Sequence, residues 1–229
     1  MAYLSSPLDT ALNSQSKLRI LRLLIEQDRT VSAREASRLT GMSLPAIRGA
    51  LESLVKAGLV DREISGRQFL CRANRQHLLV VQILAPLFAS EARWPNMLFA
   101  EIRQVIASME THAASKPSRA HFDLPAVWIF GSVAKGTDRP GSDLDLMFLA
   151  RNDHTADVVS QAVGDELADL SHRLGMDVRP VVITVAQAKH QLEQHDYFMT
   201  AALRSARVVH GEIPAELNFG KTNQRTTSR

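Results

Sequence analysis

The stretch GSVAKGTDRPGSDLDLMFLA, residues 131 to 150 of this 229-residue chain, gathers the groups best suited to chemistry. Two carboxylates, Asp143 and Asp145, stand two positions apart behind Ser142. Side chains alternate along a strand, so both acids point from the same face. Like charges placed this way cost stability unless something positive lies between them. Hard divalent cations prefer oxygen ligands, and a carboxylate pair on a rigid strand can share them. Upstream, Gly131 permits a close backbone approach, and Ser132 falls where a helix begins and free N–H groups attract phosphate. A phosphate-binding turn beside a carboxylate pair makes half of a two-metal phosphoryl-transfer site. Lys135 and Arg139 are candidates for steering phosphate, with solvated loop positions as the plain alternative.

The surrounding pattern reads strand, helix, strand, helix, strand from residue 124. AVWIF is wholly apolar, as in a strand covered on both faces. SDLDLMFLA sets Asp143, Asp145, Met147 and Leu149 on one face and Leu144, Leu146 and Phe148 on the other. A later strand, MDVRPVVIT, carries Asp177 and Arg179 on one face, and its Pro180 suits an edge or a bulge. AALRSARVVHGE reads as a helix end and a closing strand, with Phe198, Leu203 and Val208 expected in the core. His190 and His195 are spaced poorly for one helix face and are expected at the surface. Trp94 and Trp128 are expected in a core or an interface.

GSVAKGTDRPGSDLDL resembles the Gly-Ser…Ser-Asp-x-Asp signature of the DNA polymerase β-like nucleotidyltransferase superfamily, most like its minimal branch, over roughly residues 122 to 212. The resemblance implies that Gly131 and Ser132 bind the triphosphate of an NTP substrate. Asp143 and Asp145 would hold Mg²⁺ in a two-metal site, and Ser142 would support the turn into the strand. It also implies a third acid on a later neighbouring strand that helps activate the attacking hydroxyl. Asp177 is the only carboxylate available, and Arg179 has an equal claim to that place by spacing. With Asp177 there, the implied activity is transfer of an NMP to a hydroxyl acceptor. With Arg179 there, catalysis would be reduced or lost and the domain would act as a nucleotide sensor in a transcriptional regulator. Minimal nucleotidyltransferases are often paired with a HEPN-type toxin that they modify, so a toxin or other protein acceptor is a further candidate partner.

The front of the chain is organised differently. Residues 9 to 27 place Leu18, Leu21, Leu24 and Ile25 at helical spacing. Ser32 with Glu35 reads as a capping box opening a second helix. LPAIRGALESLVKAG is a third helix closed by Gly58, and two alternating runs around SGR form a hairpin. This order resembles ArsR/MarR-like winged-helix regulators over roughly residues 14 to 76. In that fold the start of the third helix enters the major groove of double-stranded DNA and the wing reaches the backbone. Ser43, Pro45, Ala46 and Arg48 would then lie near base edges, and Arg62, Arg67 and Arg72 near phosphates. Service as a protein-interaction module is the plainer alternative. Such regulators usually dimerise, and the next helix, with Leu79, Gln82, Ile83 and Leu87 along one side, is a candidate interface.

Charge divides with the pattern: sixteen Lys and Arg against ten Asp and Glu up to residue 120, then eleven against fourteen. A basic front module facing phosphate fits that division. The single cysteine, Cys71, excludes an intramolecular disulfide and a cysteine-based zinc site. No apolar run approaches the ~18 residues of a membrane span, and no secretory pattern opens the chain, so a cytoplasmic protein is expected. The expected fold class is α+β and multidomain. A winged helix-turn-helix DNA-binding domain is expected at 1–76 and a helical linker at 77–120. A nucleotidyltransferase domain with a mixed sheet would span 121–212, and a polar tail without fixed structure 213–229.

Overall fold

A computed structural model describes residues 6–66, 68–115 and 122–217. The chain falls into two compact units, Met1–Pro95 and Asn96–Arg229.

In the first unit, α1 (Pro7–Ala11) and α2 (Gln15–Gln27) lead into a short β1 (Val31–Ser32), then α3 (Ala33–Thr40) and α4 (Leu44–Lys56). A hairpin of β2 (Val60–Ser65) and β3 (Gln68–Ala73) follows, and β1 pairs on β3 to give the order β1-β3-β2. Half of the expected capping box forms. Ser32 Oγ accepts from the Glu35 N–H at 3.2 Å, but the Glu35 carboxylate turns to Arg29 at 2.8 Å, because a charged donor holds it more strongly than a backbone N–H. α2 and α4 bury Ile20, Leu21, Leu24, Ile47, Leu51 and Leu54 in one core with Cys71 from the sheet.

The stripe expected after the hairpin is displaced. Val80–Leu84 forms a π-helical turn ahead of α5 (Ala85–Ala92). Leu79, Val80, Leu84 and Phe88 are buried, whereas Ile83 and Leu87 are exposed. A wider i→i+5 turn rotates the following residues away from the 3.6-residue spacing.

In the second unit the sheet order is β6-β5-β4-β7, built from β4 (Ala126–Phe130), β5 (Leu144–Ala150), β6 (Val178–Thr184) and β7 (Arg207–Gly211). β5 and β6 run parallel through the crossover helix α8 (Asp153–Leu174), and the other pairs are antiparallel. One face carries Leu144, Leu146 and Phe148 against α8 and α6 (Trp94–Ser115). The other carries Trp128, Phe130, Met147 and Leu149 against α9 (Val185–Glu193) and α10 (Tyr197–Arg204). The alternation expected along β5 therefore holds residue by residue. Pro180 sits on the edge strand β6, where a missing N–H costs least. Trp128 is fully buried, whereas Trp94 is 52% exposed. Leu203 is half-buried, but Phe198 and Val208 are 48% and 38% exposed. β7 is an edge strand that turns Val209 into the core, which leaves Val208 outward.

Candidate functional site

The site begins where β4 stops. Phe130, its last residue, is the antiparallel partner of Asp145, and the chain then turns through Gly131 at φ 73°. A Cβ at residue 131 would lie 2.1 Å from Asp145 Oδ2. Glycine is thus required twice, by the left-handed backbone and by the space the carboxylate occupies. A five-residue helix, α7 (Gly131–Lys135), closes through Gly136 at φ 66°, and the Thr137 N–H donates to the Ser132 carbonyl at 3.0 Å. Ser132 is half-buried, and Lys135 and Arg139 are exposed.

Ser142 ties the loop into β5. Its Oγ accepts from the Arg139 N–H at 2.9 Å, and its own N–H donates to the Arg139 carbonyl at 2.8 Å. Asp143 immediately precedes β5 and Asp145 is its second residue. The parallel register decides what faces them. Asp145 pairs with Arg179, and Leu144 pairs with Val178. Asp177 joins β5 through its backbone, its carbonyl accepting from the Leu144 N–H at 2.8 Å, while its side chain is 68% exposed. Arg179 Nη1 lies 2.9 Å from Asp143 Oδ2, and its Nε lies 3.5 Å from Asp177 Oδ2. A guanidinium therefore stands beside Asp145 and spans the other two acids.

Burial pushes the Asp145 carboxyl above its usual range, the charge of Asp143 pushes the same way, and Arg179 opposes both. The fit to a two-metal centre is poor. A magnesium pair asks for a cluster of oxygen donors, and the neighbouring strand supplies a cation that already engages Asp143. Among the described residues no group of three or more His, Cys, Asp or Glu is arranged to hold a metal ion.

One neighbour of the site is silent in the sequence pattern. The Phe198 ring meets Phe130 edge-on, 5.5 Å between centroids and 86° between planes, and so borders the row formed by Phe130, Asp145 and Arg179. The Asp196 cap, whose Oδ1 accepts from the Met199 N–H at 2.7 Å, is the local signal that fixes the start of its helix.

In the first unit, Ser43 and Pro45 are exposed at the start of α4, Ala46 is half-buried and Arg48 is exposed. Arg62 stacks on the Phe69 ring at 4.7 Å. Arg72 pairs with Asp61 at 3.5 Å and Glu63 at 3.6 Å, so its charge is largely spent within the hairpin. Arg67 lies outside the described residues.

Residues 18–63 match the family described as the IclR helix-turn-helix domain, and residues 116–197 match the family described as Polymerase beta, Nucleotidyltransferase. An uncharacterized protein of Pyrococcus abyssi is 34% identical over 63 residues, which is 28% of this chain and 19% of that protein. The chain thus spans about a fifth of that relative's length. Among solved structures, an ArsR-like transcriptional regulator from Rhodococcus sp. RHA1 is 28% identical, with a TM-score of 0.30, over 48% of this chain and 100% of that one. The homodimeric winged helix-turn-helix DNA-binding domain of Mb0332 from Mycobacterium bovis is 22% identical, with a TM-score of 0.29, over 53% and 95%. Rv0081 of M. tuberculosis is 23% identical, with a TM-score of 0.33, over 41% and 90%. The chain therefore joins an N-terminal helix-turn-helix domain of the IclR type to a C-terminal domain of the polymerase β nucleotidyltransferase type.

Proposed function

We propose that this protein is a DNA-binding regulator whose nucleotidyltransferase-type domain binds a nucleoside triphosphate and turns it over poorly or not at all. The observation that carries this reading is Arg179, register partner of Asp145 and ion-paired with Asp143 at 2.9 Å. A guanidinium stays protonated under all ordinary conditions. It can neither accept a proton from an attacking hydroxyl nor ligate a metal, which are the tasks of a third acid. Its planar fork does suit phosphate oxygens. The triphosphate would lie across the Gly131–Ser132 turn with Arg179 as an anchor, in exchange for the contact with Asp143. The α4 start, with Ser43, Pro45, Ala46 and Arg48, would read duplex DNA, and Arg62 and Arg67 would meet phosphates. A homodimer would present two such helices to two half-sites. The discriminating measurement pairs NTP binding by calorimetry with pyrophosphate release on the same sample. Binding without release is expected. Release that an Asp143→Ala, Asp145→Ala double variant abolishes would overturn the reading.

A second reading, Mg²⁺-dependent transfer of an NMP to a hydroxyl acceptor, is favoured by the close packing of Gly131 on Asp145 and by the Ser142 turn. It requires Asp177 to act as the third acid and Arg179 to leave Asp143. Transfer of label from NTP to a protein, nucleic-acid or small-molecule partner would establish it, and a protein partner would include a toxin of the HEPN type.

A further inference from the structure

The Phe, Tyr and Trp rings of the second unit divide sharply by exposure. Trp128, Phe130 and Phe148 are buried, and Phe99 and Phe122 are half-buried. Among the described residues of that unit, the exposed rings are Tyr197 and Phe198 alone, at 87% and 48%. They are the first two residues of α10. A scattered exposed apolar residue needs no explanation, but Phe198 is neither scattered nor loose. Its ring meets Phe130 edge-on. Phe130 runs directly into the Gly131–Ser132 turn and is the register partner of Asp145, which is in turn the partner of Arg179. Phe198 thus stands one ring away from the turn, the carboxylate and the guanidinium that make up the site.

Local structure holds that ring in place. Met199 and Ala202 are buried and fix one face of α10 in the core. Successive helical residues are ~100° apart, so Phe198, one step before Met199, falls at the margin of the buried face. The Asp196 cap sets where the helix starts. The turn before it is closed by the Asp196 N–H, which donates to the Gln191 carbonyl at 2.9 Å. His195 in that turn takes φ 57°, a left-handed conformation uncommon outside glycine. A ring held this way gives up little freedom when a second flat group covers its open area.

A nucleoside triphosphate has two unlike ends. Its phosphates suit the start of a helix and the fork of a guanidinium. Its base is a flat ring that stacks on aromatic side chains, and a purine offers more area for this than a pyrimidine. We propose that Phe198 stacks on the base of the bound nucleotide and sets a preference for purine over pyrimidine triphosphates. The inference rests on the nucleotide-binding reading above and adds to it the residue that meets the base.

The test is calorimetry on the full chain with ATP, CTP and inorganic tripolyphosphate, which has the phosphates and no base. The parent should bind ATP more tightly than CTP. Phe198→Ala should weaken ATP at least about fivefold, the equivalent of the ~1 kcal/mol lower end for one stacked base. The same variant should weaken CTP less and leave tripolyphosphate unchanged, and Phe198→Trp should restore ATP affinity. Circular dichroism and melting temperature certify each variant, and the ATP-to-CTP ratio of the parent needs no variant at all. Equal affinities for ATP and CTP in the parent, or undiminished ATP affinity in Phe198→Ala, would overturn the stacking role. So would an equal loss for tripolyphosphate, because Phe198 would then act on the turn through Phe130. Those outcomes fall on Phe198 alone. A parent that binds none of the three ligands overturns the nucleotide-binding reading, and this inference with it.

Discussion

Arg179 Nη1 sits 2.9 Å from Asp143 Oδ2 while its own backbone is in register with Asp145. A cation thus occupies the strand position beside the Asp143 and Asp145 carboxylates. Replacing Arg179 by aspartate should convert the cluster of Asp143, Asp145 and Asp177 to four carboxylates. Mn²⁺ affinity, followed by electron paramagnetic resonance, is expected to rise at least about tenfold, since each added carboxylate within ~4–6 Å favours a bound cation. The Arg179 side chain is 60% exposed, so losing its ion pair should cost no more than ~1 kcal/mol. Unchanged Mn²⁺ affinity in a folded Arg179→Asp variant would show that the acids are not arranged to converge on a cation.

Gly131→Ala tests the packing on the other side of Asp145. A methyl group 2.1 Å from Oδ2 cannot be accommodated without moving the carboxylate, and a left-handed φ adds ~1–2 kcal/mol for any residue with a Cβ. Denaturant unfolding should show a loss of about 2 kcal/mol or more, accompanied by weaker nucleotide binding. Full stability in this variant would mean that the turn relaxes around the added methyl group.

The local parts of this site were legible in the sequence because they are set over a few residues. Gly131, Ser142, Asp143 and Asp145 fall within one strand-turn-strand segment whose spacing dictates its geometry. The choice between Asp177 and Arg179 was not legible. Both lie on the same face, and their register against β5 is set by a 22-residue crossover helix and the packing of its buried side. A slide by two residues keeps every apolar side chain on its own face. The π-helical turn at Val80–Leu84 escaped for a related reason: a periodicity argument presumes 3.6 residues per turn. The sequence pattern places Phe198 in the core, whereas its position in the first turn of α10 leaves it half outside.

The pH dependence of stability should carry the signature of Asp145. Burial and the charge of Asp143 raise its carboxyl above the ordinary 3.8 of the unfolded chain, so the folded state holds this proton more tightly. Its stabilising contribution is therefore complete below pH 3.8 and is lost as pH rises through the folded value; above that the ionised carboxylate costs stability. Asp145→Asn removes the titration. The variant should be more stable than the parent at pH 7, by about 1 kcal/mol, a common scale for relieving strain at a functional site. That advantage should shrink on acidification. Melting temperatures of both proteins from pH 3 to pH 8 give the comparison, and an advantage that grows toward low pH would reverse the assigned sign.

Arg48 and Arg72 should separate cleanly in DNA binding. Arg48 is exposed near the start of α4 and, among the described residues, pairs with no carboxylate. Arg72 already lies between Asp61 and Glu63. A cation that is neutralised within the protein releases few counterions from a duplex, whereas a free one displaces about one per phosphate it meets. Arg48→Ala should therefore weaken duplex binding by ~1–3 kcal/mol if it reads a base edge. If it meets a phosphate, the substitution should lower the slope of log K against log salt by about one. Arg72→Ala should leave affinity and slope near the parent values. Fluorescence anisotropy of a labelled duplex between low and moderate salt distinguishes all three results. Equal losses from the two substitutions would mean that the hairpin carboxylates release Arg72 when DNA arrives.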